Sequence, residues 1–412
     1  MKLAIIGAGA AGLMAAIWAG RQASPGARVA LLEGAKEPGR KILISGGGRC
    51  NVLPSVSEPE DFHTQGSRHV LRRLLASWSR DAQQRFFEDD LRLPLMLEEE
   101  SGKIFPAAQR ARVVADRLLE AARAAGAELL CPWRVASVQR EGSEFILHAD
   151  DGRELRADRL ILATGGQSVP KTGSDGAGYR FARALGHSLL PTYPALVPLT
   201  TGDARMTALA GIALPVRWSA RSGGKVLEER ARELLFTHHG FSGPAMLDAS
   251  HWFTRDRADI RIAWGALDRK EWERVLDAGS GGRRSLSAAL SDEIPARLAE
   301  TLCAWAGVAA GTQMAQLDRA KRERLLDALS DFPLPVTGDR GFAVAEVTGG
   351  GIPLAEVDPR TLESRACPGL FLCGEILDVV GRIGGFNFQW AWATGRLAGE
   401  SAIRAPAAET AD

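Results

Sequence analysis

Residues 2–33 read KLAIIGAGAAGLMAAIWAGRQASPGARVALLE, and the fold is decided in this stretch. Leu3 to Ile6 is a short apolar run suited to a buried parallel strand. Gly7, Gly9 and Gly12 follow as G-x-G-x-x-G, where a strand would turn into a helix. Ala10 to Ala19 would carry that helix, and Arg28 to Leu32 a second strand ending on Glu33. Gly7 allows a tight turn, Gly9 lets backbone approach a pyrophosphate, and Gly12 lets the helix pack close to the strand. The helix N-terminus, at Ala10 and Ala11, offers N–H groups and partial positive charge to phosphates. A carboxylate at Glu33 can accept hydrogen bonds from ribose hydroxyls. A bare G-x-G-x-x-G means little in a chain with 45 glycines. Strand, helix, second strand and acid at the right spacing make the reading dinucleotide binding. The stretch does not choose between FAD and NAD.

The composition bounds the rest. The chain has 412 residues, enough for two or three domains, and is 45% hydrophobic and 25% charged, as ordinary globular proteins are. Its net charge of +1 predicts no strong field for nucleic acid or membrane. A local basic patch stays open. Five scattered cysteines without a C-x-x-C suggest neither a disulfide framework nor a zinc site, and fit a reducing cytoplasm. The apolar N-terminal run holds a complete nucleotide-binding turn, so it reads as core rather than signal peptide or membrane span.

Further along, Gly39-Arg40-Lys41 and Gly46-Gly47-Gly48-Arg49-Cys50-Asn51 form a glycine-rich segment with fixed positive charge. Exposed N–H groups beside Arg or Lys make a second clamp for a pyrophosphate or the polar edge of a flavin. Gln109 to Ala125 is an amphipathic helix, with Val113, Val114, Leu118 and Ala121 inward. Leu129 to Val138, Glu144 to Ala149 and Asp158 to Ala163 read as strands, the last closing on Thr164-Gly165-Gly166. FAD proteins of the glutathione-reductase type use such a returning strand near the dinucleotide, and Val135 falls where they set backbone against the adenine. Pro191, Pro194 and Pro198 mark the exit from this domain.

Residues 191–265 read as short strands of a small sheet or barrel, and 268–330 as helical, interrupted at Pro295. His238 and His239, in LLFTHHGFSG, have no third ligand at a sensible spacing, so no metal is expected; His238 remains a candidate pocket residue. Near the C-terminus, Leu370 to Cys373 is a strand leading to Gly374-Glu375, and Gly384-Gly385-Phe386-Asn387 opens a last helix. Glu375 or Asp378 could hold ribityl hydroxyls. A helix N-terminus at Gly385 could face the flavin pyrimidine, where reduction leaves negative charge.

GAGAAGL, GRKILISGGGRCN, ATGGQSVPKTGSDGAGY, LFTHHGFSGPA, EVTGGGI and CGEILDVVGRIGGFNFQWAWATG occur in that order. Together they resemble the HI0933-like (YhiN/BaiN) family of FAD-dependent oxidoreductases, of the aminoacetone-oxidase type, over essentially the whole chain. The resemblance implies an α/β fold: a Rossmann-like FAD-binding domain of the glutathione-reductase type, with an inserted β-rich, barrel-like domain and a small helical domain. The boundaries are 1–190 and 341–412 for FAD binding, 191–267 and about 331–345 for the β-rich insert, and 268–330 for the helical one. It implies non-covalent FAD held by Gly7, Gly9, Ala10, Ala11, Gly12, Glu33, Lys41, Gly47, Gly48, Arg49, Cys50, Val135, Thr164, Gly165, Gly374, Glu375, Gly385, Phe386 and Asn387.

Related flavoproteins are linked to saturating conjugated carbon–carbon bonds in steroid enones or in the uracil of ribosomal RNA. The implied activity is therefore hydride delivery from flavin N5 to an activated C=C of a small-molecule or nucleobase substrate. A uridine-reducing RNA enzyme, a flavin monooxygenase and a non-catalytic flavoprotein are the alternatives. No insert is conspicuously basic, and the chain reads as short for the family. No second G-x-G-x-x-G follows a strand, so a nicotinamide donor, NADH or NADPH, would visit the flavin face transiently. Cys50 is the first candidate proton donor, with Arg49 beside it to lower its pKa, and His238 the second.

Overall fold

The structure is a computed structural model that describes residues 1–278 and 284–404. Residues 279–283, inside the segment expected to be helical, and 405–412, at the end of the expected FAD-binding domain, lie outside the described residues. The chain divides into two compact units, Met1–Thr192 with the segment from Val347 onward, and Tyr193–Glu346.

The first unit is built on a five-stranded parallel sheet. Its strands, edge to edge, are Leu370–Leu372, Arg159–Leu162, Lys2–Ile6, Arg28–Leu32 and Ala127–Leu130. Lys2–Ile6 is central, pairing Ile5 with Ile161 on one side and with Leu31 on the other. The chain moves outward one way through Arg28–Leu32 and Ala127–Leu130, then returns to the other side of the first strand. That reversal is a topological switch point, where open α/β sheets place ligands beyond the carboxyl ends of their strands.

The helix Ala10–Gln22 is apolar nearly all round and buried, as a helix covered on both sides must be. The last helix, Phe386–Ile403, packs on it through glycine. A Cβ on Gly395 would lie 2.4 Å from the Ala11 carbonyl oxygen, and one on Gly399 2.3 Å from that of Ala15. This Gly-x-x-x-Gly spacing lets two backbones touch, a contact the sequence reading did not anticipate.

The expected strand Leu129–Val138 is two strands. Ala127–Leu130 belongs to the parallel sheet, and Val135–Glu141 to a separate three-stranded antiparallel sheet. Pro132, after a cis Cys131–Pro132 bond, has no N–H for a continuous ladder.

The second unit carries a seven-stranded sheet whose pairings are all antiparallel. Its long members are Ala213–Ser222, Lys225–Thr237 and Asp259–Trp264. The helices Leu286–Leu290, Ala296–Trp305 and Arg319–Ser330 share one hydrophobic core with this sheet, which joins Trp218, Phe236 and Trp264 to Leu290, Leu298 and Leu325. Pro295 stands at the N-cap of Ala296–Trp305, where it separates two helices. Within the stretch expected to be strands, Gly243–Asp256 is a 14-residue helix. Pro244, in the first turn where its missing N–H costs no intrahelical bond, suits a helix start, and Ala245, Met246 and Ala249 give the helix a buried face.

Candidate functional site

The site is built in the first unit, at the carboxyl ends of the parallel strands. Gly7, at φ +102°, turns the chain from strand to helix, and a Cβ there would lie 2.5 Å from the Ala163 carbonyl oxygen. A Cβ on Gly12 would lie 1.8 Å from the Gly7 carbonyl oxygen. A Cβ on Gly9 would meet nothing within 4 Å. Gly7 and Gly12 are therefore required by protein packing, whereas Gly9 faces open space at the start of the helix, where the first-turn N–H groups have no intrahelical partners. Glu33 stands at the end of the next strand, its carboxylate accepting the N–H of Ala8 at 3.0 Å and of Ala35 at 2.8 Å. Burial pushes its pKa up against these hydrogen bonds, which pull it down. The Trp133 N–H donates to the Glu33 carbonyl at 2.6 Å, so the turn leading to Val135 is tied to this acid.

The C-terminal segment supplies the opposite wall. Gly374 is held at both ends by the last helix. Its N–H donates to Thr394 Oγ1 at 3.0 Å, and its carbonyl accepts Trp390 Nε1 at 3.0 Å. A Cβ on Gly374 would lie 2.8 Å from that of Ala11, so this turn abuts the start of the first helix. Glu375 follows, and its carboxylate takes Lys41 Nζ at 2.6 Å, Ser168 Oγ at 2.9 Å and the Thr348 N–H at 2.8 Å. Lys41 also donates to Ser168 Oγ at 2.6 Å. Ser168 and Thr348, which the sequence reading missed, link the Thr164-Gly165-Gly166 turn to this acid. Their signal is only their place beside glycines, in GGQS and VTGGG.

Several expected roles change. Asp378, one of two candidates for the ribityl hydroxyls, is buried and accepts Thr64 Oγ1 at 3.1 Å and the Gln65 N–H at 2.7 Å. It braces a loop instead. Asn387 spends its side chain on both backbone groups of Gly381, at 2.8 Å each, and Phe386 packs edge-on against Phe62 in the core. Arg49 does not reach Cys50. Its guanidinium lies 4.0 Å over the Phe105 ring, with Nη1 on Glu98 at 2.9 Å and on Gln109 at 3.2 Å. Burial then pushes the Cys50 thiol up to about 12, opposite to the lowering expected of a neighbouring arginine. His238 lies exposed in the turn between the strands Lys225–Thr237 and Gly240–Ser242, in the second unit.

The residues present fit a dinucleotide. Gly9 and Gly47 border open space, and Gly48 nearly so. Among the described residues, Asn51 Oδ1, Thr164 Oγ1 and Ser174 Oγ are buried polar atoms without a hydrogen-bond partner. The Ser174 hydroxyl is 2.8 Å from where a Gly165 Cβ would stand, and the Gly173 position is 3.9 Å from Glu33 Oε1. Such orphaned groups cost stability unless a ligand satisfies them.

This fold and site define an FAD-dependent oxidoreductase of Rossmann type. The HI0933-like protein Rossmann domain profile matches residues 1–401, and the chain belongs to that family. It is 33% identical to the 3-dehydro-bile acid delta(4,6)-reductase of Clostridium scindens, over 98% of this chain and 100% of that one. It is 34% identical to the ribosomal RNA dihydrouridine synthase of Escherichia coli, over 97% of this chain and 98% of the other. The chain spans nearly the whole length of both relatives, so it is not short beside them, contrary to the expectation from sequence. In structure it resembles the FrdA chain of E. coli quinol fumarate reductase, with a TM-score of 0.50, 17% identity, and coverage of 98% of this chain and 70% of that one. That likeness is one of fold. No helix among the described residues is long and apolar enough to cross a membrane.

Proposed function

We propose that this protein is an FAD-dependent reductase that saturates an activated C=C bond of a small-molecule or nucleobase substrate. One observation carries the reading. Two relatives match the whole chain at nearly equal identity, 33% and 34%, and both names describe hydrogen added across a ring C=C, in a bile acid or in uridine. The bond type is common to them and the substrate is not, so the proposal is made at the level of the bond. FAD, when bound, supplies hydride transfer.

The chain's own residues bind and orient. The N–H groups at Gly9, Ala10 and Ala11 and the loop at Gly47 and Gly48 would hold the pyrophosphate. Glu33 would take the adenosine ribose, with Val135 and the Thr164-Gly165 turn beside it. Glu375 and Lys41 would face the ribityl chain as one charge-compensated pair. The last helix, opening at Gly385, would set its positive end toward the ring, where negative charge develops on reduction. NADH or NADPH would reduce the flavin by transient binding. All five cysteines are free, consistent with work in a reducing cytoplasm.

The test is anaerobic. Purified protein should be yellow and release FAD on denaturation, and one nicotinamide should bleach it. A steroid enone or uridine-containing ribosomal RNA should then restore the colour, and the one that does names the substrate class. Reoxidation by oxygen in which an added substrate gains one oxygen atom as hydroxyl, the other leaving as water, with one NAD(P)H consumed per product, would make the protein a monooxygenase. A flavin that no donor reduces would end the reductase reading.

A further inference from the structure

The glycine-rich loop turns one side chain inward and leaves it without a partner. Asn51 is 8% exposed, and its Oδ1 is buried with no hydrogen bond among the described residues. The backbone is bent to hold it there. Gly46, Gly47, Gly48 and Cys50 all have positive φ, and Cys50, at +62°, is not a glycine. A side chain held in that region stores strain, which persists only where the surroundings impose it. The Cys50 N–H donates to the Ser45 carbonyl at 3.0 Å and fixes the turn. Beyond Asn51 the chain is also fixed. The Val52 N–H donates to the Ile104 carbonyl at 2.8 Å, and the Val52 carbonyl accepts Trp392 Nε1 at 3.0 Å.

Glycines on two sides make room for the amide. A Cβ on Gly46 would lie 3.1 Å from the Asn51 backbone nitrogen, and one on Gly385 would lie 3.0 Å from Asn51 Oδ1. The amide therefore sits between the glycine loop, assigned above to the pyrophosphate, and the start of the last helix, assigned above to the flavin ring. A primary amide offers one acceptor and one donor group, and without a protein partner its two ends are interchangeable. The pyrimidine edge of an isoalloxazine alternates C=O, N–H and C=O. An amide can pair with one C=O and the adjacent N–H at once, whereas a carboxylate can only accept. We propose that Asn51 positions the flavin ring, its side-chain amide hydrogen-bonding the C=O and N–H edge of the isoalloxazine pyrimidine. The proposal rests on the FAD-dependent reading of this site.

The experiment compares wild type with Asn51→Leu, nearly isosteric and apolar, and Asn51→Asp. Thermal unfolding is read without and with FAD, FAD affinity by flavin fluorescence, and the flavin midpoint potential by dye equilibration. An amide satisfied only by the cofactor predicts that Asn51→Leu apoprotein melts no lower than wild type. It also predicts FAD affinity at least tenfold weaker and a smaller rise in melting temperature on adding FAD. Asn51→Asp should move the potential more negative, because a carboxylate opposes charge on the reduced ring. Asn51→Leu apoprotein that melts lower, with unchanged FAD affinity, would make Asn51 structural and overturn the proposal. Should Asn51→Leu not fold, unchanged affinity and potential in Asn51→Asp would overturn it equally. Wild-type protein that binds FAD but reduces no alkene would remove the reductase reading alone, and wild type that binds no FAD would remove both.

Discussion

Lys41 Nζ and the Glu375 carboxylate meet at 2.6 Å although 334 residues separate them in the chain. Ser168 joins both, and the two side chains are 26% and 18% exposed. Removing the cation alone leaves a mostly buried carboxylate with only neutral donors. Lys41→Met should therefore lower unfolding free energy by about 1–3 kcal/mol, and adding Glu375→Gln should recover part of it. Urea unfolding of the single and double variants reads the coupling. Additive losses would show that the pair is incidental.

Cys50 gives a pH dependence with a definite sign. Its thiol ionises at about 12 in the folded protein, against an ordinary 9.0. Between those values the folded state holds a proton that the unfolded chain has lost. Its contribution to stability is present in full below about pH 9 and is lost as pH rises toward 12. Cys50→Ala should show a shallower loss of stability between pH 8.5 and 10.5 (about the range accessible to urea melts). A slope unchanged from wild type would contradict the burial effect. Native protein should also leave Cys50 unlabelled by thiol reagents at neutral pH.

The two glycines of the turn should fail in different ways. Gly9→Ala adds a methyl group to open space, so the protein should fold with nearly wild-type stability and bind FAD at least tenfold more weakly. Gly12→Ala drives a Cβ to within 1.8 Å of the Gly7 carbonyl oxygen, and should cost about 2–3 kcal/mol of stability. Apoprotein melting beside FAD titration separates the two. Equal melting losses would mean that Gly9 also answers to protein packing.

His187 has no exposed side-chain surface, and both its nitrogens are engaged, Nδ1 with Glu356 and Nε2 with Ser364, at 2.7 Å each. Ser364 Oγ also accepts the N–H groups of Ala366 and Cys367, at 3.1 and 2.9 Å, which marks a structural turn. His187→Ala would open a cavity and strip two polar groups of a partner. The expected loss is about 2–4 kcal/mol, measured by chemical denaturation. A loss under 1 kcal/mol would show that water replaces the ring (roughly the size of one exposed hydrogen bond).

Much of the fold was legible because its signals are local. Leu3–Ile6, the glycines at 7, 9 and 12, and Glu33 lie within one strand–helix–strand unit, and spacing alone sets which of them meet. The interruption of the helical stretch at Pro295 was equally local. Gly243–Asp256 lies in the stretch expected to be strands, and its helical state was decided by the core that its apolar face covers.

The sequence by itself determined that this chain starts a dinucleotide-binding sheet and carries the motifs of its family. Tertiary structure alone decided what each polar side chain faces. Asp378 turned to Thr64 and Gln65, Arg49 to Phe105 and Glu98, and Asn387 to the backbone of Gly381, while Asn51 Oδ1 found no partner among the described residues. Backbone conformation follows from neighbours a few residues away. The partner of a buried polar group is whichever donor or acceptor distant segments bring within about 3 Å, and no sequence spacing encodes that.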